Sequence, residues 1–412
     1  MINLFKRLIK ILDKVTPGAS RSLGWELLLT ALSFPASILV NRTLGAEERG
    51  LFALVILVPF TVITLGTCQW ERLVRGMIAS KLISSNEAWR RTIYYTFWLS
   101  LIFIPVGIVA SLAYTQLTFP SRLVSAVYSL SFPVVMLSGC LSAIYVAAGS
   151  IDGQYSMRLA YQGSYIVLVL GLVFLGWLSV SSLVFIYVAI WVISLVVGLF
   201  KTTQIFSGLT LAEKAPFSPL VRAFLPNAFE VVSLNADTWA FSIFSSLAAL
   251  GYYVGITGLM QPVGLVSNAL SSGSTARLDW TQSSVVYRYL LKTVLTMLCM
   301  LAGLVIGGMM IGSYLLGSVL GKSFEGGEWM IPWIAGIVVS KAVATQFHFA
   351  LQLSGLQNAY LATQTLEPIL RVGLVLLLGW QLSELGILIA MIFSSIIKVL
   401  ICSYFLKKYQ KN

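Results

Sequence analysis

Residues 329–353 read WMIPWIAGIVVSKAVATQFHFALQL, an apolar stretch long enough to cross a bilayer that also carries a polar stripe. Because an α-helix turns about 100° per residue, Lys341, Thr345, His348 and Gln352 share one helix face. A charge held in the middle of a bilayer costs several kcal/mol unless it finds a partner. The stretch therefore predicts a membrane helix whose polar face lines a wet, charged cavity.

The composition extends this prediction to the whole chain. Of the 412 residues 58% are hydrophobic and only 10% are charged, and the mean hydropathy is +0.89, whereas soluble domains are about 25% charged. Apolar runs of about 20 residues recur from end to end. The chain is predicted to be an all-α integral membrane protein with twelve transmembrane helices, at 22–43, 50–70, 92–114, 123–148, 159–177, 181–200, 222–247, 251–275, 288–315, 329–353, 359–380 and 385–406.

These runs predict two six-helix lobes, residues 22–200 and 222–406, joined by a cytoplasmic linker at 201–221. Aligning Gly50 with Gly251 superposes the first helix pair on the seventh and eighth, which indicates a parallel pseudo-repeat. Most Lys and Arg residues fall in alternate connections, which places both termini in the cytoplasm. Residues 1–21 are predicted to form an amphipathic helix on the cytoplasmic leaflet, and 407–412 a basic tail. The net charge of +12 reflects this bias and attraction to anionic lipids, so no nucleic-acid partner is expected.

Five further predicted helices each carry a polar face, and a shared cavity is the economical way to bury them together. In the first and seventh spans these faces coincide under the alignment of Gly50 with Gly251. The polar residues are Ser22, Glu26, Thr30, Ser33, Ser37 and Asn41 in the first span; Thr61, Thr64, Cys68, Glu71, Arg72 and Arg75 in the second; Asn227, Glu230, Asp237, Thr238, Ser242 and Ser245 in the seventh; Thr257, Gln261, Asn268, Ser271 and Thr275 in the eighth; and Tyr360, Gln364, Glu367 and Arg371 in the eleventh.

Several of these charges also have a purely structural interpretation. Glu367 and Arg371 are spaced i, i+4 and are expected either to neutralise each other or to bind a ligand. Lys292 and Lys398 are expected to reach the cytoplasmic headgroups. The connections leave no room for an extramembrane catalytic domain, and the sequence contains no P-loop, HExxH or GxSxG motif and no metal-ligand cluster. The sequence therefore gives no indication of an enzyme or of a cofactor.

Three stretches carry a family resemblance. Residues 33–81, SFPASILVNRTLGAEERGLFALVILVPFTVITLGTCQWERLVRGMIASK, contain an R-x-L-G…G-L-F turn that begins at Arg42 and ends at Phe52. Residues 235–270, NADTWAFSIFSSLAALGYYVGITGLMQPVGLVSNAL, place Asp237 before a turn with Gly251, Tyr252 and Gly255, and residues 356–378 read LQNAYLATQTLEPILRVGLVLLL. The chain resembles the polysaccharide transporter, or oligosaccharide flippase, family of the multidrug/oligosaccharidyl-lipid/polysaccharide (MOP) superfamily.

The resemblance implies a transporter of the bacterial inner membrane that moves a polyprenyl-diphosphate-linked oligosaccharide to the external leaflet by alternating access. Such a protein serves cell-surface polysaccharide synthesis, such as that of lipopolysaccharide O-antigen, beside polymerase and assembly proteins, and it contacts membrane lipids. Binding of the diphosphate and sugar is assigned to Lys341, Arg371, Arg72, Arg75, Arg42, Gln352, Thr345, Asn227, Gln261 and Asn268. Coupling to a proton or sodium ion, as in an antiporter, is assigned to Glu230, Asp237, Glu367, His348 and Glu26.

Two alternatives stay open at this stage. A multidrug exporter of the same superfamily would share the topology, although its cavity is expected to be more aromatic and acidic. A membrane glycosyltransferase, polymerase or ligase would also handle lipid-linked sugars, but it is expected to need a large external loop, and the external connections here are short.

Overall fold

A computed structural model describes residues 19–79, 81–202, 217–260, 283–354 and 356–409. Within these residues all regular structure is helical, as the predicted fold class requires. Most of the predicted N-terminal helix, most of the linker, and Gln261 and Asn268 lie outside the described residues. The α-helices are α1 (Ala19–Gly66), α2 (Trp70–Ala79), α3 (Ser85–Ala113), α4 (Phe119–Tyr128), α5 (Phe132–Ala147), α6 (Ile151–Phe174), α7 (Val180–Thr202), α8 (Ser218–Leu234), α9 (Ala236–Phe244), α10 (Leu247–Leu259), α11 (Ser283–Leu315), α12 (Ile331–Leu353) and α13 (Gln357–Tyr409).

Eight segments of the described chain are long and apolar enough to cross a membrane. Two of them, Gly24–Ile78 and Ala362–Lys408, contain a residue with non-helical backbone angles, Gly45 in α1 and Ser383 in α13. The predicted seventh span is divided between α8 and α9, and Phe224–Leu234 and Leu247–Leu259 are shorter apolar helices. The count of twelve, the pseudo-repeat and the cytoplasmic termini stay predictions. The six remaining long segments are Ser85–Ala113, Phe119–Ala147, Asp152–Phe174, Val180–Lys201, Ser284–Gly307 and Glu328–Leu351.

The described residues divide into two compact units. Ile38–Thr238 form the first, which we call the N-unit, and the residues up to Ser37 together with those from Trp239 onwards form the second, the C-unit. The boundaries fall inside α1 and α9. The predicted lobes, 22–200 and 222–406, stay a prediction.

Helix α5 is the centre of the N-unit, where it packs against α2, α3, α6 and α7. Its partners are fixed by buried polar groups as well as by apolar contacts. The Tyr145 hydroxyl of α5 donates to the Gly198 carbonyl of α7 at 2.8 Å. The Trp70 indole of α2 donates to Thr92 Oγ1 of α3 at 2.9 Å, and its ring meets Tyr95 edge to face at 4.7 Å. In a membrane, such bonds satisfy polar atoms that lipid cannot.

Between α1 and α2 the chain breaks sharply at Cys68 and Gln69. Both have positive φ angles, 50° and 56°, a conformation that costs a non-glycine residue of order 1 kcal/mol or more. Just before the break, Gly66 packs against aromatic rings. A Cβ added there would lie 2.5 Å from Phe132 Cε2 and 2.6 Å from Phe103 Cγ, so a glycine is required for this close approach. The break reorients the chain, and Glu71, Arg72 and Arg75 follow it on α2.

The C-unit packs α12 against α11 and α13. One apolar cluster joins Val286 and Leu290 of α11 to Ala350 and Leu351 of α12 and to Cys402 of α13. Beside it, the Tyr289 hydroxyl donates to Gln346 Oε1 of α12 at 2.6 Å, and Gln346 is fully buried. Two of the helices that carry predicted polar faces, α12 and α13, therefore lie side by side in this unit.

Candidate functional site

Four polar side chains hold the broken segment of the N-unit to α8. The carboxylate of Glu230 accepts hydrogen bonds from both terminal nitrogens of Arg72, each at 2.8 Å, and from Gln69 Nε2 at 2.8 Å. One turn earlier on α8, the Asn227 amide donates to the carbonyls of Thr64 and Leu65 at 3.1 and 3.2 Å. We call Gln69, Arg72, Asn227 and Glu230 the clamp.

The clamp adds donors beside the helix break. The Asn227 side chain, itself buried, gives the Thr64 and Leu65 carbonyls a second donor each, beside the Thr67 hydroxyl at 2.9 Å and the Cys68 N–H at 3.1 Å. Beyond the break, Arg72 and Gln69 bind Glu230. Two predicted roles therefore meet in one ion pair, because Arg72 is a predicted diphosphate ligand and Glu230 a predicted coupling residue. Each role stays a prediction.

A cavity of about 380 Å³ opens inside the N-unit. Its wall combines charges, hydroxyls and aromatic rings from α2, α5, α6 and α7. The Glu71 carboxylate packs directly against Gly139 of α5, where an added Cβ would overlap it. The lining residues are Glu71, Arg75, Ser138, Gly139, Ser142, Met157, Arg158, Tyr161, Gln162, Trp191 and Ser194.

The C-unit buries a cluster of three charges between the two halves of α13. Glu367 forms an ion pair with Arg371 one turn away, and its second carboxylate oxygen lies 3.4 Å from Lys398 Nζ. Arg371 Nε donates to Ser394 Oγ at 3.2 Å. Glu367 and Arg371 are 3% and 6% exposed, so these charges are withdrawn from solvent. Two cations share one carboxylate, and we call Glu367, Arg371 and Lys398 the triad.

The stripe on α12 is less uniform than its spacing predicts. Lys341 and His348 are half-buried, while Thr345 is exposed and donates to the Lys341 carbonyl at 2.8 Å. The His348 ring stacks on Tyr360 of α13, with centroids 4.3 Å apart and planes 13° from parallel. Gln364 Nε2 in turn donates to the Tyr360 hydroxyl at 3.0 Å. The side chain of Gln352 lies outside the described residues.

The remaining predicted site residues occupy separate places. Arg42 is exposed and Glu26 is half-buried on α1. Asp237 is buried and accepts a hydrogen bond from the backbone N–H of Thr238 at 2.8 Å. The structure thus brings Arg72 to Glu230 and Arg371 to Glu367, and it places Arg75 on the N-unit cavity.

Sequence reasoning missed part of this chemistry. Gln69 was not assigned a role, Lys398 was assigned to the headgroups, and Arg158, Tyr161 and Gln162 were not considered as a set. The last three are spaced i, i+3 and i+4, so one polar face in the first half of α6 was a detectable signal. No local signal links Lys398 to Glu367, because the two residues are 31 positions apart.

Comparison with solved structures identifies the fold that these helices form. The structure is similar to that of the lipid II flippase MurJ in an inward closed conformation, with a TM-score of 0.70 and 13% identity over 93% of this chain and 86% of that one. The chain has the fold of the MOP superfamily transporters. It is also similar to an inward-facing multidrug resistance MATE family transporter of that superfamily, with a TM-score of 0.67 and 15% identity over 93% of this chain and 96% of the other.

A third structure of the same fold extends over nearly the whole length of both proteins. A MOP superfamily transporter from Pyrococcus furiosus, whose binding pocket is described as having reverse polarity, matches with a TM-score of 0.64 and 14% identity over 97% of each chain. No protein-family model matches this chain, and no curated protein matches it by sequence.

Proposed function

We propose that this protein is a flippase that moves a polyprenyl-diphosphate-linked oligosaccharide from the cytoplasmic to the external leaflet of a bacterial inner membrane. Transport proceeds by alternating access and is coupled to a proton or sodium ion. The proposal joins the MOP transporter fold to the chemistry of the buried charges. One structural neighbour is a lipid II flippase and another is a multidrug transporter, so the buried charges must discriminate between these two classes of cargo.

The triad is the observation that carries the proposal. Two cations and one carboxylate leave one positive charge uncompensated among the described residues, in surroundings of low dielectric constant. Removing such a charge from water is unfavourable unless an anion accompanies it. A diphosphate supplies that anion, and guanidinium groups bind phosphate oxygens in a matched, bidentate geometry. An organic cation would be repelled by the same cluster, which favours the flippase over a drug exporter.

Other residues complete the proposed cycle. Lys341, Arg75 and Arg42 are proposed as further cationic contacts for the diphosphate, and hydroxyl and amide side chains as contacts for the sugar. Glu230, Asp237, Glu367, His348 and Glu26 are proposed for ion coupling. The lipid tail stays in the bilayer throughout, because withdrawing it would expose apolar surface to water at a cost in free energy.

The test is translocation in proteoliposomes that contain a fluorescent polyprenyl-diphosphate oligosaccharide, followed by chemical quenching of the outer leaflet. Wild-type protein is expected to expose the inner-leaflet pool, and an otherwise identical lipid without the diphosphate is expected to stay in place. In Lys398→Gln the Glu367–Arg371 pair stays balanced while the excess charge is lost, so the rate should fall at least tenfold. Lys408→Gln, an exposed lysine near the end of the same helix, is the matched control.

Two results would overturn the proposal. One is export of a lipophilic organic cation by protein that leaves the diphosphate lipid in place. The other is a wild-type translocation rate in Lys398→Gln, because the uncompensated charge would then have no part in moving the substrate.

A further inference from the structure

The N-unit cavity has a composition that the packing of a membrane bundle does not require. Lipid-facing and packing positions are filled by apolar or small residues, whereas this cavity is lined by two arginines, a carboxylate, three serines and a glutamine. Its volume of about 380 Å³ falls in the range of small-molecule sites. All of its lining residues belong to the N-unit, so the cavity is complete within that unit.

Two aromatic rings form one wall of the cavity. Tyr161 of α6 and Trp191 of α7 meet edge to face, with centroids 4.9 Å apart and planes at 63°. Each ring thus fixes the other, and both line the cavity. The face of an aromatic ring is electron-rich and attracts the polarised C–H groups of an apolar surface such as one side of a pyranose ring. A sugar is the polar ligand that presents such a surface.

The hydroxyl groups of the cavity are arranged to accept as well as donate. Ser138 donates to Ser194 at 3.3 Å, and Ser194 donates to the Met157 carbonyl at 3.2 Å. Since the proton of Ser138 is directed at Ser194, its oxygen retains lone pairs for an incoming hydroxyl. Ser142 and Gln162 line the same cavity and add a hydroxyl and an amide to its wall. Sugar hydroxyls, which both donate and accept, match this set.

The charges of the cavity add a preference for an anion. Arg75 is exposed and lines the cavity beside Glu71, with which it interacts electrostatically, so a ligand in the cavity can reach its guanidinium. Arg158 lies 5.5 Å from the centroid of the Tyr155 ring. Against these two cations the lining has one carboxylate, that of Glu71, which is held against Gly139. The lining thus holds more positive than negative side chains, and a guanidinium fork matches the geometry of both phosphate and carboxylate.

We propose that the N-unit cavity binds one anionic sugar unit, with its ring against Tyr161 and Trp191 and its phosphate or carboxylate on Arg75 and Arg158. Glu71 accepts hydrogen bonds from the sugar hydroxyls. The inference rests on the proposed function in that the unit belongs to the headgroup of the transported lipid. A sugar phosphate and a sugar carboxylate share the recognised chemistry, and the two sources are separated by experiment.

The test is binding of soluble probes to the full-length protein in nanodiscs, by saturation-transfer NMR and titration. Glucose 1-phosphate represents the sugar phosphate, glucuronate the sugar carboxylate, and glucose and inorganic phosphate the isolated parts. At least one anionic sugar is expected to bind tenfold or more tightly than either part, with the strongest saturation transfer on its ring protons. Binding of glucose 1-phosphate would identify a phosphate as the recognised anion, and binding of glucuronate a carboxylate.

Matched variants locate the binding in the cavity. Arg75→Gln is expected to weaken binding of the anionic sugar at least tenfold and to leave binding of glucose unchanged. Arg91→Gln, which removes an arginine paired with Glu87 outside the cavity, should change neither affinity. Trp191→Leu is expected to weaken binding at least fivefold and Trp191→Phe to restore most of it. Trp177→Leu, an exposed tryptophan, is the control for tryptophan loss.

The inference would be overturned if glucose or inorganic phosphate bound as tightly as the anionic sugars do. It would also be overturned if Arg75→Gln bound the anionic sugar with wild-type affinity. Its failure is distinguishable from failure of the proposed function. Protein that translocates the lipid-linked oligosaccharide but binds neither anionic sugar refutes only the cavity, and protein that binds the sugar in the cavity but translocates no lipid refutes only the flippase.

Discussion

Removing the Arg72–Glu230 contact should open the break between α1 and α2. The clamp anchors this segment on both sides, through Asn227 before the break and through Glu230 after it. Cys68 lies between the two anchors and is 4% exposed, with its thiol directed at the Gly66 carbonyl. If the anchor on Glu230 is lost, α2 can separate from α8, and Cys68 becomes accessible.

The size of the effect follows from the geometry and exposure of the pair. Two charge-assisted hydrogen bonds at 2.8 Å belong to a class that contributes about 1.5–3 kcal/mol when shielded. The side chains are 56% and 23% exposed, and exposed pairs contribute only about 0.2–1 kcal/mol. We therefore expect a coupling of about 1–2 kcal/mol between Arg72 and Glu230, which corresponds to about 5–30-fold in the opening equilibrium.

The assay is the rate of maleimide labelling at Cys68, read peptide by peptide by mass spectrometry in Arg72→Ala, Glu230→Ala and the double variant. When opening and closing are fast relative to labelling, the rate is proportional to the open population. Each single variant should label Cys68 about 5–30 times faster than wild type. The double variant should be slower than the product of the two factors, because the shared contact is lost only once.

Internal controls separate local opening from general unfolding. Cys402 is buried in the C-unit and should keep its wild-type rate in the same samples. Arg122→Ala removes an arginine that donates to the Leu117 carbonyl, away from the clamp, and should leave Cys68 protected. The reasoning would be refuted if the labelling rate of Cys68 in the double variant equalled the product of the two single-variant factors, to within about 0.5 kcal/mol in free energy.

Three further outcomes are expected in thermal unfolding of the purified protein. Asn227→Ala should destabilise the fold by about 0.5–1.5 kcal/mol, because the Thr64 and Leu65 carbonyls each lose one of two donors; an unchanged midpoint would show that the remaining donors suffice. Glu367→Gln should cost about 3–5 kcal/mol, because two buried cations lose their shared carboxylate, and a smaller loss than in Lys398→Gln would contradict this. Gly153→Ala should cost about 1–3 kcal/mol by displacing the Tyr145 ring and its hydrogen bond; Gly163→Ala, where nothing lies within 4 Å of an added Cβ, should be close to neutral.

The local periodicity of the sequence predicts much of the architecture. Apolar runs of membrane length predicted an all-helical membrane protein, and the described residues are helical throughout their regular structure. The i, i+4 spacing of Glu367 and Arg371 predicted that the two could neutralise each other, and they do form an ion pair. Residues one turn apart share a helix face whatever surrounds them, so such pairs can be found without a structure.

What the sequence determined alone was therefore the helical class, the polar face of each helix and the residues able to pair within it. The packing of helices distant in the chain brings Glu230 to Arg72 and Lys398 to the triad. It also gathers Arg75, Tyr161 and Trp191 around one cavity. The tertiary structure also revealed the break at Cys68 and Gln69, where no glycine or proline marks the strained positions. The physical reason is that helical period sets which side chains share a face, whereas the partner of that face depends on how helices distant in the chain pack together.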